Sequence, residues 1–181
     1  MIRILVLLIT MHFSFLAKSQ QALAADEILK KAYVQAKEQS KKVFVIFHAS
    51  WCAPCKKLDS SMNHSSVKAF FDNAFVKVHL TVFESKGKET RENPGALDLF
   101  SKFSGLKEHS LPFWIIFDEM GNFLADAQIT KGVNVGCPSE KEEIAFFVSV
   151  LKKTTVISEE QVNAVINRFS NLPVITIREF P

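Results

Sequence analysis

Val43-Phe44-Val45-Ile46-Phe47 is an unbroken apolar run of β-branched and aromatic residues. A strand with one wet face alternates apolar and polar side chains, whereas a strand without alternation is buried on both faces. Such a strand needs covering layers above and below it, so the run points to an α/β architecture around a central sheet. The length of 181 residues and the 48% hydrophobic content provide the core of one domain. With six Gly and six Pro residues, low-complexity and collagen-like classes are excluded.

The flanking segments fit that architecture. Ile28, Leu29, Ala32 and Ala36 recur at helical spacing behind Asp26 and Glu27, which predicts a helix over 24–39. Pro54 suits the first turn of a helix running to about Met62. Ser65-Ser66 is read as the cap of a short helix carrying Val67, Phe70 and Phe71, and 75–82 as a second buried strand. A charged loop over 84–92 precedes a helix over 94–103. Segments 113–117 and 123–128 bracket Asp118-Glu119-Met120-Gly121-Asn122, a hairpin signal. Residues 139–153 form an amphipathic helix. A further helix near 158–169 presents Val162, Val165, Ile166 and Phe169 on one face, and an apolar stretch over 174–177 follows. Strands alternating with helices predict a parallel core, to which the hairpin adds antiparallel strands.

Residues 1–19 combine Arg3, an apolar run beginning Ile4-Leu5-Val6, and small residues at Ala17 and Ser19. That is the pattern of a secretory signal peptide, cleaved after Ser19 or as late as Ala24. Its apolar part, interrupted by His12 and Ser14, falls short of the roughly 20 residues that span a bilayer. The expectation is an exported, periplasmic protein, in a compartment where cysteine pairs cycle. Behind the leader the expected organisation is one domain over 25–153 and a helical extension over 154–181 packed on it. Without Arg3 and Lys18 the chain is almost neutral, and no Lys/Arg cluster with interleaved aromatics appears. Nucleic acid is therefore not an expected partner.

Trp51-Cys52-Ala53-Pro54-Cys55-Lys56 stands at the junction of the first strand and the helix after it. Two residues between cysteines at a helix start bring both sulfurs within bonding reach. The unpaired N–H groups and the dipole of the helix end favour a thiolate at Cys52. The pair has three readings: an exchanging dithiol, a structural disulfide, or half of a zinc site. Zinc would need Cys137 and one of His48, His64, His79 or His109, and no second paired spacing exists, so no metal is expected. His48 stands out among the histidines because it ends the strand four residues before Cys52.

In this ordered setting the sequence resembles the thioredoxin superfamily. The resemblance is carried by the strand ahead of the cysteines, Asn93-Pro94-Gly95 at the next long helix, Leu111-Pro112 before an apolar strand, and Val135-Gly136 before a late helix. The short helix over 67–71 followed by Phe75-Val76-Lys77-Val78 is similar to exported thioredoxin-like domains. Those are related to the C-terminal domain of transmembrane thiol:disulfide interchange proteins.

The resemblance covers roughly 25–153 and implies a thioredoxin fold. That fold is a central mixed sheet, parallel core plus C-terminal hairpin, flanked by helices, here with an extra C-terminal helix. It implies a thiol:disulfide oxidoreductase without a cofactor, in which Cys52 attacks and Cys55 resolves. The implied partners are disulfide-containing protein substrates and a membrane thiol:disulfide electron donor. Leu111-Pro112 is expected to be the family's cis-proline. Trp51, Ala53, Pro54, Leu111, Pro112 and Gly136 are expected to form a groove for an extended substrate peptide. Cys137, directly after Gly136, is expected as a third thiol bordering that groove, ahead of a helix that starts at Pro138-Ser139. Ala53-Pro54 is similar to the Gly-Pro of reducing thioredoxins and implies a reductase. An oxidase or isomerase, or a non-catalytic peptide-binding module, is the alternative. One position departs from the pattern: Ile46 stands six residues before Cys52, where thioredoxins carry a buried acid. The usual proton acceptor for Cys55 is therefore missing.

Overall fold

A computed structural model describes residues 22–105 and 110–171. The expected leader, His109 and the 174–177 stretch lie outside the described residues. The apolar run becomes β1, Lys42–His48, buried without a break from Val43 to Phe47. It occupies the interior of a four-stranded sheet of order β2-β1-β3-β4. Here β2 is Phe75–Thr81, β3 is Phe113–Phe117 and β4 is Phe123–Asp126. β1 pairs in parallel with β2 and antiparallel with β3, and β3 pairs antiparallel with β4. The sheet is mixed, and its parallel part is the single β1–β2 pair.

Side chains alternate along β1, so Val43, Val45 and Phe47 face one layer while Phe44, Ile46 and His48 face the other. The first layer is α1, Ala25–Gln39, with α4, Ala96–Ser104. Small side chains at Ala25, Ala32 and Ala36 are buried along α1 and let its backbone approach the sheet. Tyr33 meets Phe117 edge-on at 6.2 Å, and Phe47 meets Phe100 of α4 at 5.6 Å. The second layer comprises α2 (Ala53–Met62), α3 (Lys68–Ala74), α5 (Lys141–Thr154) and α6 (Glu159–Ser170). A chain of rings binds it to the sheet: Phe44–Phe75 at 5.3 Å, Phe71–Phe147 at 6.3 Å, Trp114–Phe147 at 5.5 Å and Phe147–Phe169 at 5.2 Å. Burying each such side chain stabilises by about 1.5–3 kcal/mol. This cluster also docks α6, which buries Val162, Val165 and Phe169 and leaves Ile166 exposed.

Three local expectations are corrected. Ser65-Ser66 does not cap α3, because the Ser66 hydroxyl lies 2.8 Å from His64 Nδ1. The Val67 and Lys68 N–H groups both donate to the His64 carbonyl, so the turn runs on and Val67 takes the cap position. A second hairpin, β5 (Gln128–Thr130) with β6 (Val133–Asn134), follows β4. Strands this short carry no periodicity to read. Lastly, α5 starts at Lys141 rather than at residue 139, because Glu140 and Glu143 form a capping box there.

Candidate active site

β1 delivers the chain to the end of the sheet, and Cys52 is the N-cap of α2. Its Sγ accepts a hydrogen bond from the Cys55 N–H at 3.1 Å. Pro54 lies in the first turn, where its missing N–H leaves no helical hydrogen bond unmade. Cys52 and Cys55 are joined as a disulfide with Cα atoms 5.3 Å apart. Cys52 is 1% exposed and Cys55 5%, whereas neighbouring Trp51 is 47% exposed. The Trp51 indole N–H donates to the Phe83 carbonyl at 2.7 Å. Just ahead of it, the Ser50 N–H and hydroxyl donate to the Glu84 carboxylate at 2.6 and 2.7 Å. Burial pushes the Glu84 carboxyl upward, but these bonds and the Ser85 N–H outweigh it and hold the group below its ordinary range. The loop after β2 is thereby fastened to the approach to Cys52.

Leu111 packs on a small cluster of Ala49, Cys52 and Cys55, which is separate from the main core. The Leu111–Pro112 peptide bond is cis. Gly136, at φ +59°, backs it: a Cβ there would stand 3.0 Å from the Pro112 carbonyl oxygen. Only glycine suits both that backbone and that approach. The Gly136 carbonyl accepts from the buried Trp114 indole at 2.8 Å. Asn134 ties the pieces together, its amide donating to the carbonyls of Ser110 and Pro112 at 3.0 Å each. Its side-chain oxygen accepts the Gly136 N–H at 3.0 Å. No feature of the sequence marked Asn134, because its partners come from a separate stretch of chain.

Beneath Cys55 is a cavity of about 320 Å³ whose walls include Ile46, His48, Lys56, Asp59 and His79. His79 Nε2 lies 3.2 Å from Asp59 Oδ1, and the His48 and His79 rings meet edge-on at 5.3 Å between centroids. His48 Nε2 lies 3.3 Å from the Thr81 hydroxyl. Burial and then the neighbouring His79 push the His48 imidazole below its ordinary pKa, against partial opposition from Glu84 and Asp59. Sequence position singled out His48, but its partnership with His79 and Asp59 comes from the parallel register of β1 and β2.

Cys137 is a free, partly buried thiol that packs against the main core. Burial pushes its pKa up to about 11; Lys57 and Arg168 act against this, and Glu143 adds to it. It stands three residues before the Glu140 cap of α5, further from the helix than a start at Pro138-Ser139 implies. Among the described residues no three His, Cys, Asp or Glu side chains are grouped to hold a metal ion.

A mixed sheet with a Cys52–Cys55 disulfide at the start of the helix after β1 defines the class: this is a thiol:disulfide oxidoreductase. The family model described as Thioredoxin-like matches residues 24–119, more than half of the chain, and the protein belongs to that family. Among solved structures the chain is similar to a disulphide isomerase from Xylella fastidiosa Temecula1, at 22% identity and a TM-score of 0.51. That match covers 71% of this chain and 89% of the other. It is also similar to a DsbH oxidoreductase, at 22% identity and TM-score 0.45 over 73% and 84% of the two chains. A thioredoxin from Thermus thermophilus matches at 12% identity and TM-score 0.42 over 74% and 86%. At these identities the likeness is one of fold. No curated protein matches the chain.

Proposed function

We propose that the protein is an exported reductase of protein disulfides that works through Cys52 and Cys55. The observation that carries this reading is the Cys52 sulfur at the N-cap of α2, accepting the Cys55 N–H at 3.1 Å. In the reduced protein that site favours a thiolate, which attacks a substrate disulfide and expels one substrate thiolate. Cys55 then attacks Cys52 Sγ, closes the intramolecular disulfide and releases the second substrate thiolate. The substrate is thereby reduced by two electrons and the dithiol oxidised by two. Because Cys52 is 1% exposed, its neighbours must yield before a disulfide reaches it, which restricts exchange to partners that dock. An extended peptide lying along Leu111 beside exposed Trp51 is the docking mode that the groove favours.

The reducing direction is supported by Ala53-Pro54 between the cysteines, without the histidine of oxidising relatives. Export is supported by Arg3, the apolar run behind it and the small residues at Ala17 and Ser19. A membrane thiol:disulfide protein is the electron donor this reading requires. A redox titration against glutathione and dithiothreitol tests the direction. A potential near about −270 mV supports a reductase, and one near about −120 mV means that the protein is an oxidant.

A further inference from the structure

The exchange just described needs a base. Cys55 attacks as a thiolate, so its proton must leave, and the acid that thioredoxins bury at this level is replaced by Ile46, 1% exposed. Ile46 stands in register with His79 on β2 and with Trp114 on β3. By strand alternation Ile46, His48, His79 and Thr81 all project from the face that α2 covers. Cys55 and Asp59 are one turn apart on α2, and both line the cavity that His48 and His79 also line.

We propose that the His48–His79 pair is the proton acceptor for Cys55, with Asp59 and Thr81 as its positioning residues. This rests on the reading that Cys55 resolves a mixed disulfide on Cys52. The Cys55 thiol gives its proton to a neutral imidazole of the pair, through water in a cavity roomy enough for several molecules. The resulting thiolate attacks Cys52 Sγ, the Cys52–substrate S–S bond breaks, and the departing substrate thiolate takes a proton back. Asp59 Oδ1, 3.2 Å from His79 Nε2, holds that ring in place. The His48 and His79 rings meet with centroids 5.3 Å apart. The other charged groups facing it are Lys56 of α2 and Glu84 of the loop after β2. Burial, and then the neighbouring His79, lower the His48 pKa, which favours the neutral form an acceptor needs.

The test separates the two half-reactions. Reduced full-length protein is mixed with a small fluorescent peptide disulfide and acid-quenched at intervals between pH 5 and pH 9. Mass spectrometry follows the formation and the decay of the Cys52 mixed disulfide. The H48Q/H79Q variant should form it within about twofold of the wild-type rate. Its decay at pH 7 should be at least about tenfold slower, because general-base catalysis typically contributes a hundredfold or more. That decay should recover steadily toward pH 9, where solvent hydroxide takes the proton. D59N should slow decay by a smaller factor, and D59E should restore it. Should the double variant not fold, H79Q alone serves, since the His79 side chain is 39% exposed at the edge strand. Decay with an unchanged rate and pH profile overturns the proposal, as does equal slowing of formation and decay. Wild-type protein that forms no mixed disulfide overturns the exchange reading itself, which is a different result.

Discussion

Cys52 and Cys137 both stand just ahead of a helix, followed by Ala53-Pro54 in one case and by Pro138-Ser139 in the other, yet their environments are opposite. Cys52 is itself the N-cap, and its sulfur receives the Cys55 N–H. The start of α5 is occupied by carboxylates instead. Glu143 accepts the N–H groups of Ser139 and Glu140 at 2.9 and 3.1 Å, and Glu140 caps the helix from its own side. Cys137 is left outside the turn, pressed on the core, with its thiol pushed up to about 11 by burial. Of the two cysteines, only Cys52 holds the cap position itself. The field of the helix end falls off within a turn, and acidic side chains compete for it.

The largest effect that would break this contrast is on turnover. Cys52→Ser should abolish insulin reduction with dithiothreitol, whereas Cys137→Ser should leave it within about twofold of wild type. Loss of activity in Cys137→Ser would make the third thiol part of the exchange. Gly136→Ala probes the joint between the two regions, since Gly136 touches Pro112 and precedes Cys137. Its φ of +59° and the 3.0 Å approach to the Pro112 carbonyl should cost about 1–3 kcal/mol in urea denaturation. Unchanged stability would mean that the Pro112 loop yields freely. Smaller still is Glu143→Ala, which removes half of the α5 capping box and should cost about 0.5–2 kcal/mol. It should also speed alkylation of Cys137 at fixed pH, because the Glu143 charge raises that thiol. Slower alkylation would contradict the assignment of Glu143 as a competitor for the helix end.

Much of this was legible in local sequence. The unbroken apolar run of β1 announced a strand buried on both faces, and Cys52-Ala53-Pro54-Cys55 announced the helix start that follows. Glu140 as the cap of α5 was missed because Pro138-Ser139 is itself an acceptable start. The neighbouring carboxylates won by satisfying more N–H groups. The β5–β6 hairpin was missed because two or three residues are too few for alternation to show. Asn134, His79 and Asp59 were not legible as site residues, since each acquires its partner from a distant segment. His79 reaches the cavity only because β2 pairs in parallel with β1 in the register Ile46–His79. Ile46 departs from the family pattern in the sequence itself, and it lies in the wall of the same cavity as Cys55.

In the proposed exchange the cap position, rather than the mere presence of a thiol, makes Cys52 the reactive cysteine. The pH dependence of iodoacetamide alkylation in the reduced protein, followed separately for each cysteine by mass spectrometry, tests it most directly. Cys52 should alkylate as a thiolate with a pKa within about 3.5–7.5, well below the ordinary value of about 8.5. Cys137 should resist until the pH approaches about 11. An ordinary pKa at Cys52, or alkylation of Cys137 ahead of it at neutral pH, would contradict this assignment.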